Sequence, residues 1–589
     1  GEKQGEFYGA VFQDSDVAKW LEAVAYTLAE KPDKELKKLA DSVIELIGRA
    51  QEPDGYFNTY FILKEPGQRF RNLREGHELY TLGHMIEAAV AYKRATGEKR
   101  FLEIVQKMAD LVANTFGVEE GKRMGMPGHQ EIELALMKLY EETGKESYKE
   151  LAKYFIDVRG CGNRNYFLEE MKQKDVKRIF PELNDYRPEY SQSHLPVRKQ
   201  RTAEGHAVRA VYMYAAMADI AAEYDDEELL GACETLWNNM VHRRMYVTGG
   251  IGSSGILERF TADYDLPNDY NYCESCASIG LAFFARRMMQ ITKKAKYVEV
   301  MERALYNTVL AGIAMDGKSF FYVNPLEVWP PSCMERTSKE HVKSVRQKWF
   351  GVACCPANIS RTLASLGEYI YACEKDTIYV NLFIGNETQI TVGEQKVHLS
   401  LETDFPWKNQ FKINVSGVKE SVQLAVRIPE YAQDYNIFCE GREQFYKEKD
   451  GYAYITCEKN GRYEVQFVSE PRFVRANPKV RADEGKVCVM WGPLVYTVEE
   501  TDNGENLQAL YIDTAKPVKK SEKEEFPMLI AAGKRICESG WGEEELYGSH
   551  PLEFAETEIT LVPYAYWGNR ENGEMAVWLK EYLSDRNNK

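Results

Sequence analysis

Residues 77–116 read HELYTLGHMIEAAVAYKRATGEKRFLEIVQKMADLVANTF. The first half is apolar and small-residue-rich almost all round. A short polar turn follows at Thr96-Gly97, and the second half is amphipathic and more charged. A helix that is apolar on every side is an inner helix, and one with a charged face is an outer one. The same grammar returns in HQEIELALMKLYEETGKESYKELAKYFID from His129, where Thr143-Gly144 makes the turn. It returns again in GHAVRAVYMYAAMADIAAEYDDEELLGACETLWNNMV from Gly205 and in CESCASIGLAFFARRMMQITKKAKYVEVMERALYNTVL from Cys273. This is a helical-hairpin repeat. An opening pair precedes it. Asp14-Ser15-Asp16 offers caps to a helix carrying Val17, Trp20, Leu21, Val24 and Ala25 at helical spacing. A second helix, Lys34 to Arg49, stops at Gln51-Glu52-Pro53-Asp54-Gly55. With the helix after Cys355 the total is about six hairpins. That number predicts an (α/α)6 barrel. An open solenoid would have more even spacing than this chain, whose loops at 158–204 and 241–272 are long. Long loops on a rigid scaffold are where sites tend to sit.

Near residue 376 the pattern changes. TIYVNLFIG, TQITVG, KVHLSLETDFP, FKINVSG, VQLAVRIP, YAYITCE and RYEVQFV alternate apolar and polar residues between Gly, Asn, Asp and Pro. They predict an antiparallel β-sandwich. From 476 onward KVCVMWGPLVYTVE and EITLVPYAYWGNR read as strands, separated by the charged segment KPVKKSEKEEF. The expected architecture is multidomain α+β: a barrel over 1–375, a sandwich over 376–475 and a smaller β unit over 476–589.

The chain has 589 residues, 44% hydrophobic and 28% charged, which is the balance of an ordinary globular protein. Its net charge of −16 repels phosphate and argues against a nucleic-acid partner. No apolar run approaches the roughly 20 residues of a membrane span. The opening GEKQGEFYGAVFQDSD has no signal-peptide core, so a reducing, cytoplasmic setting is expected. Twelve cysteines are too sparse for a disulfide scaffold, and most should be buried hydrophobes. Aromatic residues at 12% suit a sugar-binding protein, and equally any large core.

Two motifs stand apart: Cys273-Glu274-Ser275-Cys276 and Cys354-Cys355-Pro356. Each falls where an inner helix begins, and such starts converge on one rim of a closed ring. Glu274, Cys276, Cys354 and Cys355 would together offer one carboxylate and three thiolates, a set suited to tetrahedral Zn²⁺. Buried core thiols are the competing reading. His77, His84, His129 and His206 lie at or near the starts of inner helices and could line a shared pocket. Glu258 sits on the long loop before the Cys273 helix, where a carboxylate can act as general acid/base or simply face solvent. The VTGGIGSSG run ahead of it lacks the lysine of a phosphate loop.

At these residues the chain resembles glycoside hydrolase family 127, the β-L-arabinofuranosidases. The resemblance runs from VFQDSDVAKWLEA to PYAYWGNRENGEMAVW and is most specific in GHQEIELAL, EGHAVRA, CESCASIGL and ACCPANISR. It implies an (α/α)6 barrel with β-sandwich domains and a retaining, exo-acting hydrolase of L-arabinofuranosides. It further implies Cys354 as a zinc-bound nucleophile, Glu274, Cys276 and Cys355 as the other zinc ligands, and Glu258 as acid/base. His129, His206 and Tyr322 would contact the sugar, together with His77 or His84. Family members usually carry residues ahead of the GAVFQDSDVAKW segment, on which this chain opens almost directly. A related glycosidase, lyase or epimerase on the same scaffold is the alternative, as is a non-catalytic sugar-binding protein with structural zinc. A β domain is a candidate surface for a homodimer.

Overall fold

The computed structural model describes residues 7–521 and 527–583. Residues 1–6 of the opening segment, 522–526 of the KPVKKSEKEEF stretch and 584–589 lie outside the described residues.

The helical part consists of α1 (Asp14–Glu30), α2 (Lys34–Ala50), α3 (Glu78–Thr96), α4 (Arg100–Thr115), α5 (Ile132–Thr143), α6 (Glu146–Val158), the short α7 (Tyr166–Glu170), α8 (Ala207–Glu223), α9 (Glu227–Arg243), α10 (Ser275–Thr292), α11 (Ala295–Ala304) and α12 (Cys354–Ala364). Gly97 and Gly144 end α3 and α5 at φ +77° and +70°, a left-handed cap that a side chain would disfavour. In α3 every residue from Glu78 to Tyr92 is buried, whereas α4 buries one face through Phe101, Ile104, Val105, Met108 and Val112. Burial therefore follows the inner and outer pattern of the sequence. Among the described residues, α1 packs on α3, α3 on α5, α5 on α8, α8 on α10, α10 on α12, and α12 returns to α1. α2 packs on α4 and α4 on α6.

The sheets begin earlier than the composition indicated. Strand Tyr371–Glu374 lies inside the stretch read as helical and pairs with Thr377–Val380. Arg472–Val474, read with the sandwich, pairs with Lys486–Trp491 of the C-terminal unit. The middle unit is a five-stranded and a six-stranded sheet sharing one core, in which Leu424, Val426 and Ile455 of the first meet Leu399, Ile413 and Val465 of the second. One pairing departs from the antiparallel pattern expected here: Thr377–Val380 runs parallel to Val422–Arg427.

The C-terminal unit departs further from an antiparallel sandwich. Leu494–Glu499, Phe554–Pro563, Leu529–Ile536, Leu510–Asp513, Leu579–Tyr582 and Lys486–Trp491 each pair with the next, and the last pairs with the first. This closes a six-stranded ring with one parallel pairing, and closure removes exposed edges. Alternation identifies a strand but not its partner, which is why neither closure nor parallel pairing was legible. Glu327–Val328, from the loop before α12, pairs with Met575–Ala576 and joins the helical part to this sheet. No helix among the described residues is long and apolar enough to cross a membrane.

Candidate active site

The inner helices begin around one cavity of about 490 Å³. His77 and His206 are the residues just ahead of α3 and α8, Glu274 is just ahead of α10, and Cys354 and Cys355 open α12. Pro356 is the third residue of α12, where no backbone N–H is needed. Two helix N-termini thus aim their partial positive charge at the sulfur atoms, which favours thiolate over thiol.

Glu274, Cys276, Cys354 and Cys355 each place a donor atom within 4.8 Å of the others and could hold a metal ion. Sγ of Cys276 lies 3.6 Å from Sγ of Cys355, which is 3.8 Å from Sγ of Cys354. Oε1 of Glu274 is 3.5 Å from Cys354 and 3.7 Å from Cys355, while its buried Oε2 has no partner. The Tyr322 hydroxyl is 2.9 Å from Cys354 Sγ, and the Tyr322 carbonyl accepts from Ser275 N–H, fixing that loop to the start of α10. Burial pushes Cys355 and Glu274 well above their ordinary pKa values. Burial also acts on Cys276, but bonds from Cys354 and Cys355 outweigh it and bring that thiol down to about 6. The protein alone thus favours one thiolate among four potential anions. Cys273, the first cysteine of its motif, is fully buried in a separate apolar cluster with Tyr246 and Phe321.

Glu258 reaches the cavity from a tight hairpin in which Ser254 N–H bonds to Arg259 O and Arg259 N–H bonds back to Ser254 O. Leu257 and Glu258 both have positive φ, 60° and 53°. Backbone held in that region by non-glycine residues is commonly found at functional sites. The Glu258 carboxylate accepts from His206 Nε2 at 2.7 Å and from the Tyr272 hydroxyl at 2.8 Å. Burial opposes its ionisation, but these two donors hold it below the usual carboxylate range.

His77, His129 and His206 form a row in which neighbouring ring centres are 5.7 and 5.5 Å apart. Burial keeps all three neutral, and it takes His77 down to about 3. Nδ1 of His77 is 2.6 Å from Glu75 O, and Nδ1 of His129 is 2.9 Å from Gln130 O. A carbonyl can only accept, so each Nδ1 carries the proton and each Nε2 is left as an acceptor. The sequence left His77 and His84 as alternatives for the cavity; the structure puts His77 in its lining and His84 outside it. His84 is fully buried two turns further along α3, with Nδ1 3.1 Å from Glu131. The two are seven residues apart and share a helix face, which is why HELYTLGH could not separate them.

Several lining residues were not read from the sequence. Tyr80, Tyr190, Arg209 and Tyr212 add polar groups, and Phe12, Phe180, Leu183, Ile256 and Val352 make an apolar wall. The spacing of His77, Tyr80 and His84 by three and four residues was the available signal for Tyr80.

The family model for the β-L-arabinofuranosidase GH127 catalytic domain matches residues 2–368. Those for the GH127 middle and C-terminal domains match residues 377–469 and 471–580. The chain belongs to glycoside hydrolase family 127. Within the family it is 40% identical, over 98% of its own length and 90% of the relative's, to a non-reducing end β-L-arabinofuranosidase of Bifidobacterium longum subsp. longum. It superposes with a TM-score of 0.95 on the crystal structure of Ara127N-Se, a GH127 β-L-arabinofuranosidase from Geobacillus stearothermophilus T6, at 48% identity over 99% of this chain and 92% of that one. A second GH127 β-arabinofuranosidase structure gives a TM-score of 0.87 at 36% identity, covering 99% of this chain and 90% of that one. This family 127 chain thus matches its relatives across the helical part and both sheet units.

Proposed function

We propose that the protein is a retaining, exo-acting β-L-arabinofuranosidase that releases terminal β-L-arabinofuranosyl residues. In this reading the ring of inner helices is an (α/α)6 barrel, with the sheet units over 376–475 and 476–589 as accessory domains. The observation that carries the reading is that the cluster of Glu274, Cys276, Cys354 and Cys355 shares one cavity with Glu258.

Three thiols, a carboxylate with an unpartnered oxygen and a near-tetrahedral number of donors fit Zn²⁺ better than Mg²⁺ or Ca²⁺, which prefer oxygen. When bound, zinc would hold the thiols deprotonated and make the sulfurs less basic. Cys354, which opens its helix at the cavity wall, is then the nucleophile: its Sγ forms a bond to the anomeric carbon as the glycosidic C–O bond breaks. Glu258 protonates the departing oxygen. Water next attacks the anomeric carbon and passes a proton to Glu258 while the C–S bond breaks. Two displacements retain configuration. The bonds from His206 and Tyr272 hold Glu258 as a base, as the second step needs. A bound sugar excludes water from the carboxylate and so favours the protonated form that the first step needs. Tyr322 supports the sulfur through its 2.9 Å contact, and His77, His129 and His206 meet the sugar hydroxyls.

Hydrolysis of p-nitrophenyl β-L-arabinofuranoside, with and without a strong chelator, tests the reading. Release of nitrophenol that stops on chelation and returns with zinc is the expected result. A zinc-loaded protein that binds L-arabinose but never cleaves this glycoside would overturn it in favour of a binding protein.

A further inference from the structure

Tyr80 stands one turn after His77 on α3 and lines the cavity. Its ring centre is 4.4 Å from that of His129. Behind it lies Lys19 of α1, a lysine with no solvent exposure. Lys19 Nζ donates to the Tyr80 hydroxyl at 2.9 Å and sits 5.3 Å from the ring centre. Among the described residues, no carboxylate lies within ion-pairing distance of Lys19; its hydrogen bond goes to a phenol, while Cys354 and Cys276 act on its charge from further off. Desolvating an ammonium is costly, and a buried one without a carboxylate needs a reason to be there.

The direction of that bond has a consequence. An ammonium has donors and no acceptor. The Tyr80 oxygen must therefore accept, and its own hydrogen must be directed elsewhere. The wall around it supplies acceptors: Nε2 of His77 and of His129, and the Glu258 carboxylate. These acceptors take up the hydrogens of a polyhydroxylated ligand, and the ligand's oxygen lone pairs need donors, for which the lining offers Tyr80 beside Arg209 and Tyr190. A phenol whose rear lone pair is filled by Lys19 is a pre-aimed donor.

We propose that Tyr80 is a substrate-binding residue that donates its phenolic hydrogen to a hydroxyl of the bound arabinofuranosyl unit, and that Lys19 is the positioning residue that sets the direction of that donation. The proposal rests on the reading of the cavity as an arabinofuranoside site.

The test compares wild type, Tyr80→Phe, Lys19→Met and the double variant. Each is measured for KM and kcat on p-nitrophenyl β-L-arabinofuranoside and for L-arabinose affinity by calorimetry. Tyr80→Phe should raise KM and weaken L-arabinose about tenfold, the worth of one hydrogen bond to a ligand, while kcat changes less than about twofold. Lys19→Met should produce part of the same KM effect, about three- to fivefold, and no further loss once Tyr80 is Phe. Losses that multiply in the double variant would mean that Lys19 acts by another route and would overturn the coupling. Unchanged KM and arabinose affinity in Tyr80→Phe would overturn the proposal outright, even if Lys19→Met failed to fold. A wild type that binds L-arabinose but does not hydrolyse the glycoside would overturn the enzymatic reading while the affinity series still decided this one. A wild type that does neither would overturn both.

Discussion

Among the described residues, two buried polar clusters within the ring of inner helices solve the problem of burial in opposite ways. The deeper one lies seven residues, about 10 Å, further along α12 than the cysteines. There Arg361 bonds at 2.7 Å to both Glu22 of α1 and Glu87 of α3, and Lys138 of α5 bonds to Glu87 at 2.5 Å. Two carboxylates meet two cations. Glu131 beside them is pushed well above the carboxylate range by burial and by Glu87, so it keeps its proton, and burial keeps His84 neutral. The triad His84, Glu87 and Glu131 has the spacing of a metal site. Arg361 and Lys138 already supply its positive charge. The upper cluster has four groups that can become anions, and among the described residues no lysine or arginine bonds to any of them; the buried Lys19 acts on Cys276 and Cys354 only through space. A buried cluster whose charge closes internally holds the helices together; one whose charge does not close calls for a cation from outside.

The largest expected effect concerns the upper cluster. Cys354→Ser should lower kcat about 10⁴-fold, and Glu258→Gln by about 10²–10⁴-fold, with unchanged circular dichroism. Wild-type rates in both variants would end the assignment of these residues. Next is metal content. Mass spectrometric analysis of dialysed wild type should find one zinc per chain, and Cys276→Ala should lose most of it, because removing a ligand from a structural-type thiolate set forfeits much of its binding free energy. Full zinc occupancy in Cys276→Ala would show that the metal sits elsewhere.

The lower cluster should respond in the opposite manner. Arg361→Met leaves Glu22 and Glu87 without their shared partner, and breaking a buried pair in this way costs about 3–5 kcal/mol. Denaturant titration should show that loss, while the folded variant keeps its zinc. Zinc lost with the stability unchanged would mean that the two clusters cannot be separated in this way.

The contrast also explains what could be read from the sequence. Inner and outer helices were legible because burial on all sides or on one face is written into the local pattern of each helix. The site residues Glu274, Cys276, Cys354 and His206 were legible because each stands at a helix start, and helix starts are marked by turns and caps. Phe180 and Leu183 come from the loop 158–204, which has no periodicity to read, and only the tertiary fold brings them to the cavity. Tyr80 and Tyr212 lie in helices that are apolar on all sides, where a tyrosine looks like core. Lys19 is one charged residue among several in the opening helix, and only its burial behind Tyr80 sets it apart. The closed C-terminal ring depends on Lys486–Trp491 pairing with Leu579–Tyr582, strands about 90 residues apart, and no local pattern records such a pairing.

The smallest expected effect separates the two histidines of HELYTLGH, one on each side of the boundary between the clusters. His77 is held by Glu75 O through Nδ1 and turns Nε2 to the cavity, so His77→Ala removes an acceptor from the sugar and opens space beside Phe12 and Phe180. A loss of about tenfold in kcat/KM is expected, carried mainly by KM. Of the cavity lining, His84 meets the edges of Tyr80 and Tyr212, at ring separations of 4.5 and 6.3 Å, and the carboxyl beside it is that of Glu131. His84→Gln keeps a polar group against that neutral carboxyl and should change kcat/KM less than about twofold, while lowering stability by about 1 kcal/mol through poorer packing. If His84→Gln instead raised KM as much as His77→Ala, the lower cluster would be part of the sugar site, and the boundary drawn here between balanced scaffold and unbalanced chemistry would have to move two helical turns down α3.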